Sequence, residues 1–248
     1  MIDIHSHILP GLDDGAANMD EAVAIARGAL ASGIKQIVAT PHVRTRRYPS
    51  KETILDATSN LQKELQKKGI NFPVLPGGEY RIDPELPQRF SKGELLTIND
   101  KGRYLLVELP DAYVPDYTAA VLNDLQAQGV TPIIAHPERN DDFIRDHSRL
   151  YELVAHGALA QLTAGSLTGF YYPEITVAAR AFLEQGLIHF LGSDAHSASG
   201  QLPHFKPGAR ETMRVLGEEQ GHRVLKINPQ RVVRGEFIEV GELKKKAT

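Results

Sequence analysis

Apolar residues are distributed along this chain in short runs that alternate with stretches of helical spacing. Residues 2–5 form a brief apolar run cut off by Leu9-Pro10-Gly11, the pattern of a buried strand ending in a loop. From 19 to 32, Ala22, Val23, Ala26, Ala29 and Leu30 recur at helical spacing, with Asp20 and Glu21 at the start and Gly33 as a stop, which predicts a helix. Residues 34–40 are β-branched and apolar and run into Pro41-His42. The alternation then repeats, with predicted helices near 51–68, 115–128, 149–156 and 173–185 and strands at 72–75, 104–109, 130–135, 158–163 and 187–191. Seven strand segments alternating with helices predict parallel βα units, best arranged as a distorted seven-stranded (β/α) barrel in a single domain over 1–248. A doubly wound open sheet competes, but it gathers its site at one crevice instead of drawing on all its strands.

The polar residues that interrupt this pattern fall where such barrels keep their functional groups, at the C-terminal ends of strands. His5 and His7 follow the first run, two apart, so that both side chains leave on one face. His42 follows the second, Glu79 the third, Glu108 lies in the fourth, His136 follows the fifth, and Asp194 and His196 follow the seventh. An imidazole at a buried strand end is unfavourable unless something uses its nitrogens. Eight such groups exceed the three or four protein ligands of one catalytic metal, which implies two or three ions with a bridging carboxylate, for which Glu108 is the candidate. Imidazole with carboxylate suits manganese, iron, cobalt or zinc better than magnesium or calcium. Asp13-Asp14-Gly15 reads either as turn chemistry or as the base from which Asp14 supplies a further ligand. Arg139, three residues after His136, is placed to fork onto an anion or to pair with Glu138 or Asp142. Arg44, Arg46 and Arg47 form a basic patch after His42 that either binds an anion or faces solvent. His147, His156, His189, His204 and His222 are expected to be surface or packing residues.

Composition narrows the chemistry further. The chain has 248 residues, a formal charge of −3 and no cysteine, which removes disulfides, thiolate ligands and every cysteine nucleophile. The mild acidity gives no general attraction for nucleic acid or acidic membranes. No apolar run approaches ~18 residues and the opening residues do not form a secretory signal, so a cytoplasmic protein without membrane insertion is expected. The terminal Lys244-Lys245-Lys246 reads as a solvated tail, and the oligomeric state, a homo-oligomer included, is left open.

The string Ile4-His5-Ser6-His7-Ile8 with Asp13-Asp14-Gly15, then Thr40-Pro41-His42, Gly78-Glu79, Val107-Glu108, Ala135-His136-Pro137-Glu138-Arg139 and Ser193-Asp194-Ala195-His196, resembles the polymerase-and-histidinol-phosphatase (PHP) superfamily. Within it, the pattern is most similar to the manganese-dependent bacterial protein-tyrosine phosphatases of capsular and exopolysaccharide gene clusters. That resemblance implies a three-metal barrel hydrolysing phosphotyrosine on the tail of a bacterial tyrosine autokinase. It implies metal binding at the positions above, Asp14 included, and phosphate binding at Arg139. The corresponding mechanism is in-line attack by water activated by the metals, with Asp194 or His196 assisting the leaving group. One departure stands out: where the family commonly carries a second phosphate-facing arginine, this chain has Gln201, for which Arg44, Arg46 or Arg47 would compensate. A histidinol phosphatase, a phosphodiesterase and a non-catalytic metal-binding module are the rival expectations.

Overall fold

The computed structural model describes residues 1–44, 49–239 and 243. Arg46, Arg47 and the Lys244-Lys246 run therefore lie outside the described residues.

The chain begins with strand β1 (Ile2–Asp3), followed by helix α1 (Met19–Ala31), β2 (Gln36–Ala39) and β3 (His42–Val43). Helix α2 (Lys51–Lys67), β4 (Val74–Pro76), β5 (Glu79–Arg81) and α3 (Leu86–Ser91) lead to β6 (Tyr104–Glu108). Next come α4 (Thr118–Ala127), β7 (Thr131–Ala135), the short α5 (Asp141–Arg145), α6 (His147–Ala155) and β8 (Leu159–Thr163). Helix α7 (Pro173–Glu184) and β9 (Phe190–Gly192) precede α8 (Phe205–His222), a π-helical turn at Arg223–Ile227 and α9 (Asn228–Arg234). Local chemistry sets the helix starts: the Asn18 side chain accepts from the Glu21 backbone N–H at α1, and Ser50 accepts from Thr53 at α2.

Every strand pairing is parallel. The described strands form a three-stranded sheet, β1-β2-β4, and a six-stranded sheet, β3-β5-β6-β7-β8-β9, with an isolated parallel bridge from Ser6 to Ala195 linking the region after β1 to that after β9. Two of the seven expected strands are each followed by a further short strand, β3 and β5, beyond the expected bounds. Pro41, without an N–H to donate, separates β2 from β3, and Gly77-Gly78 separates β4 from β5, so the ladder breaks at the same level on neighbouring strands. The described ladder is thus two parallel sheets and not one closed barrel.

Two apolar clusters hold this arrangement. The larger packs helix faces onto the outer sides of the strands, as Ala22, Ile25 and Ala26 of α1 and Ala179, Phe182 and Leu183 of α7 illustrate. The smaller draws Ile4 and Val38 from one side of the break and Leu106, Ile133, Leu159 and Phe190 from the other, and Val232 and Val233 of α9 pack into it. The two sheets therefore share an apolar interior. Among the described residues, no helix is long and apolar enough to cross a membrane.

Candidate metal centre

Polar side chains leave the C-terminal ends of these strands and meet above the apolar interior. His5 and His7 lie after β1, with their Nε2 atoms 3.3 Å apart. His42 opens β3, Glu79 opens β5 in register with it, and Glu108 closes β6. His136 and Asp194 follow β7 and β9, and both residues adopt left-handed backbone conformations, with φ of 30° and 54°. That conformation is unfavourable for a residue with a Cβ, and here it swings the chain out of the strand as the side chain enters the cluster.

Glu79 sits at the centre. Its Oε1 lies 3.0 Å from His136 Nε2, and its Oε2 lies 2.9 Å from His42 Nδ1, 3.3 Å from His5 Nε2 and 3.5 Å from His7 Nε2. Asp194 Oδ1 lies 3.4 Å from His5 Nε2 and 3.2 Å from His7 Nε2. Asp14 is two-thirds exposed at the mouth, yet its Oδ1 reaches 3.5 Å from His42 Nε2 and 3.4 Å from His196 Nε2. Glu108 Oε2 lies 3.9 Å from His42 Nδ1 and 3.1 Å from Arg81 Nε, off to one side. The carboxylate that contacts most of the imidazoles is therefore Glu79, whereas the strand pattern had pointed to Glu108 as the bridge.

The fit to metal ions rests on the atoms themselves. Four groups have donor atoms within 4.8 Å of one another: His7, Asp14, His42 and His196; His5, Glu79 and His136; His5, His7 and Asp194; and His42, Glu79 and Glu108. His42 Nδ1, Glu79 Oε2 and Glu108 Oε2 are buried without any hydrogen-bond partner, although the first two are 2.9 Å apart, because they are not aligned for one. Buried polar atoms left unpaired in this way are unfavourable unless a ligand completes them. The partners on the far side of the rings point the same way. Gln161 Oε1 accepts from His5 Nδ1 at 2.7 Å and Asp13 Oδ2 from His7 Nδ1 at 2.7 Å, which leaves both Nε2 lone pairs facing the cluster. Asp13 Oδ2 also accepts from the His42 backbone N–H, tying two strand ends together. Gly15 is required beside it, since a Cβ there would fall 2.1 Å from the His7 carbonyl oxygen.

Electrostatics follow from this crowding. Burial opposes a charge on His5, but Glu79 and Asp194 outweigh it and lift the imidazole to about 9. His7 is raised as well, Asp13 and Asp194 overcoming its burial. Glu79 and Asp194 are buried too, yet the surrounding histidines hold both well below the usual carboxylate range. Burial, reinforced by His7, lowers His196, whose Nδ1 lies 2.9 Å from the Asp194 carbonyl oxygen.

Arg139 pairs with neither Glu138 nor Asp142. Its Nη1 donates to Asp194 Oδ2 at 2.7 Å, and its guanidinium lies 5.6 Å from the centre of the Tyr171 ring. Asp142 is taken by Arg145 and Arg149, while buried Glu138 accepts from the Thr163 N–H and the Ser166 hydroxyl. Gln201 braces His196, its Oε1 accepting from the His196 backbone N–H at 3.3 Å. Arg44 is not part of the cluster and lines a separate cleft. Asp13, Arg81, Gln161 and Tyr171 escaped the strand-end pattern. Asp13 left a trace in the Asp13-Asp14-Gly15 turn, and Gln161 did so as a polar residue inside an otherwise apolar strand.

The family model for capsular polysaccharide synthesis, CpsB/CapC, matches residues 1–234. The chain belongs to that family. It is 41% identical over 222 residues to the tyrosine-protein phosphatase YwqE of Bacillus subtilis, covering 89% of this chain and 85% of that one. It superposes with a TM-score of 0.95 at 36% identity, over the whole of both chains, on a crystal structure from work on YwqE of Bacillus subtilis and CpsB of Streptococcus pneumoniae, described as unique metal-dependent tyrosine phosphatases. A histidinol phosphate phosphatase from Lactococcus lactis, solved with zinc, L-histidinol and phosphate, shares the fold at a TM-score of 0.59 and 12% identity, over 88% of this chain and 95% of that one.

Proposed function

We propose that this protein hydrolyses phosphotyrosine on proteins with the help of two or three divalent cations, manganese foremost and iron, cobalt or zinc as alternatives. The observation that carries the proposal is the convergence of five imidazoles and four carboxylates on one space, with His42 Nδ1, Glu79 Oε2 and Glu108 Oε2 buried there without a hydrogen-bond partner. His5, His7, Asp14, His42, Glu79, Glu108, His136, Asp194 and His196 would hold the cations, Glu79 as the bridging carboxylate. Bound there, the cations would supply Lewis acidity toward the phosphoryl oxygens and acidify a water molecule. The two sheets act as arcs of a distorted seven-stranded (β/α) barrel, forming one domain over 1–248 that carries all the ligands on its rim.

The chain's own groups define the rest. Arg139 presents a guanidinium steadied by Tyr171 and Asp194, and its remaining N–H groups take the equatorial phosphoryl oxygens. Asp194 is held ionised and is therefore no proton donor. His196, partly exposed at the mouth, is the group left to hydrogen-bond the leaving oxygen when a cation does not occupy its Nε2. A phenolate, with a pKa near ~10, asks little of it. The substrate is the phosphotyrosine tail of a bacterial tyrosine autokinase that governs capsular or exopolysaccharide synthesis, met in the cytoplasm, in keeping with the family.

The test is turnover of a phosphotyrosine peptide and of histidinol phosphate by protein whose metal content is measured before and after manganese reconstitution. Manganese-dependent release of phosphate from the peptide, at a much higher kcat/KM than from histidinol phosphate, is expected. A metal-replete protein inert toward the peptide would overturn the proposal.

A further inference from the structure

One register step beyond the His42–Glu79 pair, Val43 pairs with Tyr80 across β3 and β5. Side chains alternate along strands, so this second pair faces the other side of the same short ladder. There it lines a cleft of about 450 Å³ together with Arg44, Arg89, Lys92 and the first residues of α2. Two of these cations carry buried donors with nothing to bind: Arg44 Nε and Arg89 Nη1 have no hydrogen-bond partner among the described residues. The carboxylates nearest Arg89 stand off, Asp83 at 3.9 Å and Glu94 at 3.6 Å. Lys51, by contrast, is engaged by Asp100 at 2.8 Å. The 17-residue helix α2 starts at the cleft wall, adding the positive end of its dipole. The acidic side chains lining the cleft are Glu52 and Glu94. Guanidinium groups that line a cleft beside a helix N-terminus, with donors left over and only loose ion pairs, are the arrangement an anion completes.

We propose that this cleft is a second anion subsite, which takes another phosphoryl or carboxylate group on the same polypeptide as the scissile phosphotyrosine. The inference rests on the phosphotyrosine reading above and places the rest of the substrate chain.

The experiment uses the full, manganese-loaded protein and fluorescein-labelled peptides carrying a non-hydrolysable phosphonate analogue of phosphotyrosine, with a second phosphonate, a glutamate or a neutral residue two to four positions away. Fluorescence anisotropy is expected to show about tenfold tighter binding of the doubly anionic peptide than of the neutral-flanked one, a difference that weakens with salt. Arg89→Gln should abolish that preference and leave p-nitrophenyl phosphate turnover unchanged, while Arg89→Lys retains part of it. Lys92→Gln, at an exposed position, should reduce the preference by about two- to threefold without burdening the fold. A gain from the second phosphonate alone assigns the subsite to phosphoryl groups, and a gain from glutamate too assigns it to anions generally. No preference in the wild type, or one that survives Arg89→Gln, overturns the subsite. Because binding is read without turnover, a protein that shows the preference but hydrolyses no phosphotyrosine peptide defeats the phosphatase reading alone.

Discussion

Along the bodies of the parallel strands, Ile4, Val38, Leu106, Ile133, Leu159 and Phe190 fill the interior with apolar surface. A few residues further on, the same strands deliver His5, His42, Glu108, His136 and Asp194 into a space equally shut off from solvent. Both regions are buried, but only the first gains from burial by itself. The second desolvates carboxylates and imidazoles, whose mutual attraction has to offset the loss of water around both. One half of each strand specifies the fold, and the other half spends some of the resulting stability on a binding site.

That contrast can be broken most directly at Glu79. Glu79→Gln should lower manganese-dependent turnover by about 10³-fold or more, with the bound-metal ratio falling in parallel in elemental analysis. The metal-free variant should be no less stable than the metal-free parent. At the other end of the comparison, Phe190→Ala should cost roughly 3–5 kcal/mol in urea unfolding through the cavity it leaves in the shared interior. The metal complement of the folded fraction should be preserved.

A third test concerns His189, buried near the start of β9 with its Nδ1 accepting from the Ala160 N–H. Burial pushes its imidazole down to about 4, from an ordinary value of 6.5. The native state thus refuses a proton that the unfolded chain accepts, so this group's contribution is full above pH 6.5 and is lost as the pH falls toward 4. The loss amounts to roughly 3 kcal/mol at most. Asp3 works the other way, since burial lifts it to about 6 from 3.8 and the native state takes its proton first as the pH falls. Comparing the wild type with His189→Gln cancels Asp3, and the difference in unfolding free energy should shift in the variant's favour between pH 6.5 and 4. An unchanged difference would show that His189 is not a liability in acid.

The smallest expected effect lies one layer out from the metal ligands. Asp13→Asn or Gln161→Ala leaves the cluster intact but frees an imidazole to rotate. Manganese affinity, measured by titration, should fall by about 10–100-fold with little change in stability.

The sequence disclosed the strand-end ligands because each follows directly on an apolar run, so a single position was both predicted to be buried and plainly polar. Asp13, Arg81, Gln161 and Tyr171 acquire their roles from partners far away in the chain, such as Gln161 at 156 positions from His5, and local pattern cannot register such a pairing. The βα alternation was legible for the same local reason. Strands β3 and β5 were not, being two and three residues long, and neither was the closing stretch of α8 and α9. There Gly208, Gly217 and Gly221 dilute the helical signal, and Gly217 leaves helical geometry altogether at φ 75°. Arg139 lies beside the cluster, but its partner Asp194, 55 positions away, was not foreseen.

The bridge from Ser6 to Ala195 carries a consequence for biosynthesis. At ~5–20 residues per second, about 10–40 s separate translation of His5 from that of His196, and throughout that interval the emerging chain holds only a fraction of its ligands. On the proposed reading, truncated products and stalled nascent chains lack part of the cation site, and cation loading becomes one of the last events in the maturation of the molecule.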